Sequence, residues 1–354
     1  MKITFIHPQA NLSGGCRVVS IYADRLTALG HDVTVVTTRP RKPSRCDVLR
    51  DVLRGRWSRP PSSNHFESMK AKWIALDHPD PVTDHDLPDA DVVIATWWET
   101  AFSVSRLSPT KGQKFYFVQH HEVHEALPNH ISAGSYHLPL KKITIARWLS
   151  DTMAHTYGDT DTIVVPNSVD QSLFHAKERG RQANPTIGLM YSPVAFKGVD
   201  TALRAIEHAR KSVPDVHLVA FGASPPGKQL GLPPETEFHL APKQEEIRNI
   251  YASCDVFLAA SRVEGFGLPI LEAMACRTPV VATRTGCAPD VIVNGVNGYL
   301  ADVEDWELLA EGLIKVLSLD DALWRTLSQS ALEQVEQYSW DDATKLFEAA
   351  LLEG

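Results

Sequence analysis

Two glutamates frame a glycine-containing turn in the second half of the chain. Glu264 lies within Ser261–Leu268, and Glu272 follows it eight residues later. The apolar run Val256–Ala260 before this turn is typical of a buried strand, and the Ala- and Leu-rich run Leu268–Cys276 after it is typical of a helix. A strand, a turn and a helix N-terminus together offer N–H groups and a positive dipole end to an anion. Carboxylates beside such a cradle suit a sugar nucleotide, which presents both hydroxyls and a diphosphate.

A second group of candidate residues follows the predicted strand Lys114–Val118. His120, His121 and His124 lie within five residues, which invites a metal site. The HExxH spacing is absent, because the second histidine comes one residue too soon after Glu122. We therefore expect a histidine at a strand end that faces a ligand, since parallel α/β sheets bind ligands at the carboxyl ends of their strands.

The elements that must position these residues form two similar halves. Strands and helices alternate up to Pro166–Asp170, a turn-rich joint that precedes the polar stretch Lys177–Pro185. The same alternation restarts at the predicted strand Thr186–Tyr191 and ends in helical patterns. A chain of 354 residues is also long enough for two domains. The pattern predicts two doubly wound α/β domains.

The first half opens with a strand, a loop, a helix and a second strand. These elements are predicted at Lys2–Ile6, Cys16–Leu29 and Val33–Val36. The loop holds Gly14 and Gly15 but no GxGxxG motif, which disfavours a dehydrogenase. Two explanations of the glycines stay open: a close backbone approach to a phosphate or sugar, or only a tight turn.

Composition excludes several classes of protein. The net charge of −8 disfavours binding of nucleic acid over the whole surface. Five scattered cysteines without CxxC spacing indicate reduced thiols rather than disulfides or zinc. Because the N-terminus enters a strand at once and no apolar run approaches 18 residues, we expect a cytoplasmic protein.

The basic stretch from residue 39 to residue 59 interrupts this composition. Its apolar residues recur at helical spacing, with arginines on the other side. A short amphipathic helix lying on the inner, anionic face of a membrane is one interpretation. A solvated loop is the other.

Further motifs accompany the glutamates in a fixed order along nearly the whole chain. They are Gly14-Gly15, Gly30-His31-Asp32-Val33, Pro166-Asn167-Ser168-Val169-Asp170, Lys197-Gly198-Val199-Asp200, Glu264-Gly265-Phe266-Gly267-Leu268-Pro269 with Glu272-Ala273, Thr278-Pro279-Val280-Val281-Ala282 and Asn297-Gly298-Tyr299-Leu300. In this order and spacing the sequence resembles the retaining glycosyltransferases of family 4, also called glycosyl transferases group 1.

This resemblance implies the GT-B fold, in which two Rossmann-like domains face a cleft. The N-terminal, acceptor-binding domain would span residues 1–167, and the C-terminal, donor-binding domain would span residues 168–337. The final helix, residues 338–354, would cross back to the first domain.

The resemblance also implies a division of roles among the candidate residues. Glu264, His120 and Lys197 would be the catalytic residues, with Glu264 beside the donor sugar and Lys197 on the diphosphate. Glu272 would bind the ribose hydroxyls. The donor-binding residues would be Gly15, Ser192, Lys197, Ala241, Pro242, Glu264, Gly265, Phe266, Gly267, Leu268 and Glu272. Acceptor-binding residues would be Gly14, His121 and Trp97, and His121 is the alternative to His120.

The implied reaction moves a hexose from a nucleoside-diphosphate sugar, with UDP favoured, to an acceptor hydroxyl. It would retain configuration by front-face attack and would need no metal or other cofactor. The acceptor would be a sugar, a lipid-linked molecule or a small molecule in the synthesis of polysaccharide, glycolipid or glycoconjugate. The alternatives are a GT-B sugar-nucleotide epimerase and a non-catalytic GT-B subunit that binds a partner.

Three positions depart from the family pattern. Tyr191-Ser192-Pro193 stands where the family often has Gly-Arg, so Ser192 is only a candidate for the diphosphate. Arg277 and Cys287 stand where glycines are common, and Cys287 would place a thiol close to the phosphate pocket.

Overall fold

The chain forms two compact units, Met1–Pro166 together with Asp341–Gly354, and Asn167–Trp340. The computed structural model describes residues 1–39, 64–124, 127–227 and 230–353. Each unit has one parallel sheet flanked by helices, so the predicted fold class is confirmed. The basic stretch 39–59 lies outside the described residues except for Arg39, and so does Cys46.

The sheet of the first unit has the order β3-β2-β1-β4-β5-β6-β7, and every described pair of neighbours is parallel. Its strands are β1 (Lys2–His7), β2 (Asp32–Thr37), β3 (Lys72–Ala75), β4 (Val92–Ala95), β5 (Gln113–Val118), β6 (Lys141–Thr144) and β7 (Ile163–Val164). Its helices are α1 (Gly14–Ala28), α2 (Trp98–Arg106), α3 (Asn129–Ser135) and α4 (Arg147–Tyr157). The chain leaves β1 toward one edge of the sheet and later adds β4 on its other side. That reversal is the switch point at which doubly wound sheets bind ligands.

The second unit repeats this arrangement, with the order β10-β9-β8-β11-β12-β13. Its strands are β8 (Thr186–Met190), β9 (His217–Gly222), β10 (Glu237–Leu240), β11 (Val256–Ala259), β12 (Val280–Thr283) and β13 (Gly298–Ala301). Its helices are α5 (Val199–Ala209), α6 (Gln244–Ala252), α7 (Leu268–Ala275), α8 (Ala288–Val291), α9 (Trp306–Leu317) and α10 (Asp321–Glu336). The reversal in this sheet lies between β8 and β11.

The last helix, α11 (Trp340–Leu352), packs into the core of the first unit. Phe347 stacks on Tyr22 with ring centroids 4.5 Å apart and meets Phe117 edge-on at 5.0 Å. Glu348 lies 2.6 Å from Nε2 of His31, which immediately precedes β2. The apolar contacts exclude water, and burial of this kind is the main source of stability.

The predicted strands and helices agree with the structure within one or two residues at most ends. The pattern at Ile143–Ala146 predicts a strand there, but β6 is found two residues earlier at both ends, at Lys141–Thr144. Two lysines open this strand, and such residues are disfavoured in strands. Lys142 is buried and its ammonium pairs with Asp159 at 2.5 Å, which makes a strand position tolerable. Across the part of the chain that the structure describes, no helix is both long and apolar enough to cross a membrane.

Candidate functional site

The glutamate motif of the second unit follows β11, and Lys197 follows β8. Glu264 and Lys197 therefore both lie at the switch point of this sheet. Nζ of Lys197 is 2.7 Å from Oε1 of Glu264, and the Ser261 hydroxyl donates to the same oxygen at 2.8 Å. The two charged side chains keep 23% and 15% of their surface exposed. They line a small cavity of about 30 Å³ within this unit, so a charged pair faces a recess at the edge of the sheet.

The loop that carries Lys197 is tied to the loop that carries Glu264. Gly198 has φ +62°, and a Cβ there would lie 1.9 Å from the Ala260 carbonyl oxygen. Any other residue would be strained and would also push the two loops apart. In addition, the N–H of Arg262 donates to the Phe196 carbonyl at 2.7 Å. The position of Lys197 is thus fixed by backbone contact.

Arg262 reinforces the same junction from the outside. Its guanidinium donates to both carboxylate oxygens of Asp200, at 3.0 and 2.7 Å, and to Glu304 at 2.7 Å. Hydrogen bonds to these two carboxylates raise the pKa of Arg262. Planar bidentate pairing of this kind fixes orientation as well as charge.

The motif loop is clamped from its other side by Gly286 and Cys287. Gly286 has φ +57°, and a Cβ there would lie 2.2 Å from the Phe266 carbonyl oxygen. The N–H of Cys287 donates to that carbonyl at 2.6 Å. The Cys287 thiol is buried beneath the loop, 3.9 Å from the Gly267 carbonyl oxygen, and burial raises its pKa. A neutral, buried thiol therefore packs against the loop, and α7 begins directly after Gly267.

Glu272, the second glutamate of the motif, is buried within α7. The Tyr251 hydroxyl donates to its Oε2 at 3.0 Å. Glu272 is not among the described residues that line the cavity with Lys197 and Glu264. The structure brings Lys197 and Glu264 together and buries Glu272 within α7, outside the lining of this cavity.

The remaining predicted donor residues of this unit lie at neighbouring strand ends. Ser192 follows β8, and its hydroxyl accepts from the N–H of Val194 at 3.3 Å. Ala241 and Pro242 follow β10, and the N–H of Ala241 donates to the Gly222 carbonyl at 2.7 Å. Ala241 has φ +46°, which is uncommon for a residue with a side chain. These residues continue the carboxyl edge of the sheet beyond Lys197.

In the first unit, Gly14 and Gly15 form the start of α1. Neither has a positive φ, and a Cβ on Gly14 would meet nothing within 4 Å. A Cβ on Gly15 would only make ordinary contact, at 3.6 Å, with the Gln119 side chain. The described fold would therefore accept alanine at both positions, which weakens the tight-turn explanation. Oε1 of Gln119 is buried and has no hydrogen-bond partner among the described residues.

His120 and His121 differ in what their rings contact. Nε2 of His121 is 2.7 Å from the Tyr157 hydroxyl, and its ring stacks on Tyr136 at 5.6 Å. Burial, with the neighbouring His120 and His124, lowers the pKa of His121. Nδ1 of His120 instead lies 2.9 Å from the His121 carbonyl oxygen, so the ring nitrogen donates and the carbonyl accepts. The His121 ring is committed to aromatic neighbours in its own unit.

Trp97 is half-buried and immediately precedes α2. Its backbone carbonyl accepts from the Thr100 hydroxyl at 2.8 Å, and its N–H donates to that hydroxyl at 3.0 Å. Trp98 meets Phe102 edge-on at 6.4 Å. Both indoles are therefore partly packed, and neither is a fully exposed platform.

Sequence reasoning missed Glu122, which is 1% exposed. Its Oε2 accepts the N–H of Trp98 at 2.7 Å and the Tyr116 hydroxyl at 3.0 Å. Burial raises the pKa of Glu122 to about 8. Its only signal in the sequence was its place among histidines, which pointed to metal chemistry instead.

A second missed group joins β1 to α1. Nδ1 of the buried His7 is 2.7 Å from the Thr96 hydroxyl, and its Nε2 is 3.0 Å from the Cys16 thiol. Burial lowers the pKa of His7 to about 3 and raises that of Cys16. Both groups are therefore neutral near pH 7. The four described cysteines, including Cys16, are free and buried.

Residues 173–333 match the model of the family "Glycosyl transferases group 1". This segment is less than half of the chain and contains the Lys197–Glu264 pair. The chain is also 30% identical to D-inositol 3-phosphate glycosyltransferase of Mycobacterium marinum over 201 residues, which cover 51% of this chain and 42% of that protein. It is 38% identical to N-acetyl-alpha-D-glucosaminyl L-malate synthase of Bacillus anthracis over 107 residues, 30% of this chain and 28% of that one. The chain thus spans less than half the length of these relatives.

Solved structures resemble the chain over its whole length. Sucrose-phosphate synthase from Thermosynechococcus elongatus has a TM-score of 0.75 at 17% identity, with all of both chains covered. Anabaena HepE, solved in complex with UDP and glucose, has a TM-score of 0.73 at 17% identity, again with full coverage. At such identities the likeness shows the fold, and that fold is the GT-B architecture.

Proposed function

We propose that the protein is a retaining glycosyltransferase that moves a hexose from a UDP-sugar to an acceptor hydroxyl. One observation carries this proposal: the Lys197–Glu264 pair faces a cavity at the switch point of the second sheet. The same pair lies in the segment that matches a glycosyltransferase family. Sugar nucleotides combine a diphosphate with hydroxyl groups, and this pair offers a cation and a carboxylate to those two parts.

Departure of the diphosphate creates negative charge, and two features of the second unit favour that charge. Lys197 supplies an ammonium group, and the start of α7, with its positive dipole end, lines the same cavity. Preorganised charges of this kind stabilise a transition state more than a ground state. With both available, the transfer requires no divalent metal.

Glu264 is better suited to orient the sugar than to attack it. Its Oε1 already accepts hydrogen bonds from both Lys197 and Ser261, which lowers its nucleophilicity. A retaining reaction can then proceed on one face of the sugar. The acceptor oxygen bonds to the anomeric carbon while the bond to the diphosphate oxygen breaks, and the acceptor proton passes to that leaving oxygen.

The other donor contacts follow the carboxyl edge of the same sheet. Gly265 to Leu268 would bind sugar hydroxyls or phosphate, and Glu272 would bind the ribose after exchanging or sharing its contact with Tyr251. Ser192 would assist Lys197 at the diphosphate, and Ala241 with Pro242 would border the base.

The acceptor would bind to the first unit. Gly14 and Gly15 leave the start of α1 open, and Oε1 of Gln119 can accept a hydrogen bond from a hydroxyl there. His120 is favoured over His121, because the His121 ring is held by Tyr136 and Tyr157. We propose an acceptor in cell-surface polysaccharide or glycoconjugate synthesis. Membrane contact through residues 39–59 is a further proposal about residues that the structure does not describe.

A panel of UDP-, GDP- and dTDP-hexoses tests the proposal. A donor that binds the folded state raises the Tm by mass action, so a UDP-hexose should raise it most. NMR of the product should show the same anomeric configuration as the donor, and excess EDTA should leave the rate unchanged. An inverted product would refute retention, and failure of every nucleotide sugar to raise the Tm or release nucleotide would refute the function itself.

A further inference from the structure

A buried tyrosine closes the turn that carries His120. The Tyr136 hydroxyl donates to the His120 carbonyl oxygen at 3.2 Å and accepts the N–H of Glu122 at 2.8 Å. One hydroxyl therefore joins both ends of the three-residue turn from His120 to Glu122. Without it, a buried N–H would lose its partner, which is costly in a dry environment.

The Tyr136 hydroxyl is itself held in place by aromatic packing. The residue is fully buried and lies at the C-terminus of α3. Its ring stacks on Tyr116 with centroids 5.7 Å apart and an interplanar angle of 9°, and also on His121 at 5.6 Å. The Tyr157 ring lies 4.8 Å away. Close packing on several neighbours leaves this side chain one position.

Glu122 anchors the other end of the turn to two elements. Its carboxyl group accepts from the N–H of Trp98 at the start of α2 and from Tyr116 on β5. Because burial raises the pKa of Glu122 to about 8, the group is mainly protonated at neutral pH. Its contribution is therefore hydrogen bonding rather than charge, and an amide of the same shape can supply it.

The geometry of this turn decides which nitrogen of His120 meets a substrate. Nδ1 donates to the His121 carbonyl, which lies inside the same turn, at 2.9 Å. In the neutral ring this leaves Nε2 without a hydrogen, so Nε2 can accept one from a sugar hydroxyl. A change in the turn would move the ring, its tautomer or both.

We infer that Tyr136 and Glu122 are positioning residues that set the orientation and tautomer of His120 for transfer. This inference rests on the proposed function, because it concerns a histidine that acts on the substrate. Neither residue touches the reacting atoms in this account; both act through the turn.

A double-mutant cycle tests the inference with Tyr136→Phe and His120→Ala. Tyr136→Phe keeps the ring and removes only the hydroxyl, and we expect kcat to fall about tenfold or more, since small misplacements of a catalytic group are costly. In the His120→Ala background the same change should alter kcat less than about twofold, because coupled residues are not additive. Stabilisation by the nucleotide alone, which the second unit would bind, should stay unchanged. Additive losses would overturn the inference.

Glu122 provides the matched pair of variants. Glu122→Gln preserves shape and hydrogen bonding, and it should keep kcat within about threefold of the wild type. Glu122→Leu removes the acceptor for both Trp98 and Tyr116, and it should lower kcat as Tyr136→Phe does. A loss with Glu122→Gln equal to that with Glu122→Leu would contradict a role through neutral hydrogen bonds.

A spectroscopic measurement separates this inference from the proposed function. ¹⁵N signals of the histidine rings report which nitrogen carries the hydrogen, and the His120 signal should show the Nδ1–H form in the wild type. It should change in Tyr136→Phe and persist in Glu122→Gln. If these signals behave so but no sugar is transferred, the proposed function is wrong while the positioning stands. If transfer occurs and the signal is unchanged in Tyr136→Phe, the positioning is wrong.

Discussion

The two sheets share the same strand order around the switch point. The residues at their carboxyl edges nevertheless differ in ionisation. In the first unit, burial keeps His7 and Glu122 neutral near pH 7, with pKa values of about 3 and about 8. In the second unit, Lys197 and Glu264 form an ion pair that faces a cavity and keeps part of its surface exposed. The same strand order thus carries buried neutral groups at its edge in one half and a partly exposed ion pair in the other.

This difference matches the chemistry proposed for each half. A diphosphate brings charge that a cation and a helix terminus can balance, whereas an acceptor hydroxyl brings none. Neutral hydrogen-bonding groups recognise a hydroxyl without the desolvation cost of a buried charge. On this proposal, the ionisation of a few strand-end residues, rather than the fold alone, would assign donor and acceptor to different halves.

The largest expected effect comes from removing charge at the second edge. Glu264→Gln keeps the shape but loses the carboxylate, so kcat should fall by about 10²–10³-fold, the range for loss of one preorganised electrostatic contact. The Tm should change little, because part of the side chain is exposed. Initial rates and a thermal melt measure both quantities. Glu311→Gln, on the exposed face of α9, is the control, and wild-type turnover by Glu264→Gln would remove the proposed role.

Substitution of a glycine by alanine should affect the free energy of unfolding differently at the two edges. At Gly198 a Cβ would meet the Ala260 carbonyl oxygen at 1.9 Å with φ +62°, so Gly198→Ala should lower the free energy of unfolding by about 1–3 kcal/mol or more. It should also displace Lys197 and raise the donor KM. Gly14→Ala is the matched control, since it sits in a helix with nothing within 4 Å and should be neutral or stabilising by up to about 1 kcal/mol. Urea unfolding of both variants checks this contrast; equal losses would contradict it.

The two buried groups Glu122 and His7 should give the free energy of unfolding opposite dependences on pH. For Glu122 the folded pKa of about 8 exceeds the unfolded value near 4.5, so its contribution is fully present below pH 4.5 and is lost as pH rises toward 8. For His7 the folded pKa of about 3 lies below 6.5, so its contribution is present above pH 6.5 and is lost as pH falls toward 3. Each slope is limited to about 1.4 kcal/mol per pH unit.

Urea unfolding across pH 6.5 to 8.5 isolates the slope of Glu122, because the contribution of His7 is constant above pH 6.5. Glu122→Gln should remove the decline of the free energy of unfolding in this range. An unchanged alkaline decline in this variant would show that Glu122 is already ionised in the folded protein.

The smallest expected effect is a difference between the salt dependence of the donor KM and that of the acceptor KM. Raising ionic strength from about 0.05 to 0.5 M should raise the donor KM several-fold, because salt screens the exposed charges that meet the diphosphate. The acceptor KM should change less than about twofold. Paired titrations of the two substrates measure this, and an acceptor KM that rises as steeply would mean that the first edge also binds charge.

The sequence was sufficient for the fold because alternating strands and helices leave a local signal. Hydrophobic runs and helical periodicity placed most element ends within two residues. The strand β6 departed because Lys142 is buried by its pairing with Asp159, seventeen residues away. Such a long-range pairing leaves no local pattern.

The candidate site residues likewise differ in whether the sequence alone predicts them. The resemblance implies that Lys197 and Glu264 share a donor site, and the structure places their charged groups 2.7 Å apart. Glu122 could not be recognised, because its burial depends on Trp98, Tyr116 and Tyr136 from three other parts of the chain. The proposed preference for His120 over His121 likewise rests on a contact that the sequence does not show, that of His121 with Tyr157.

The C-terminal helix has a consequence for the order of folding. Phe347 belongs to the same core as Tyr22 and Phe117, yet the whole second unit separates these residues in sequence. During synthesis the second unit can close as soon as its own continuous segment has emerged. The first unit keeps part of its apolar core exposed until α11 has been synthesised, because domains fold as units. Exposed apolar surface of this kind promotes aggregation. The half that is translated first is therefore the half that is completed last.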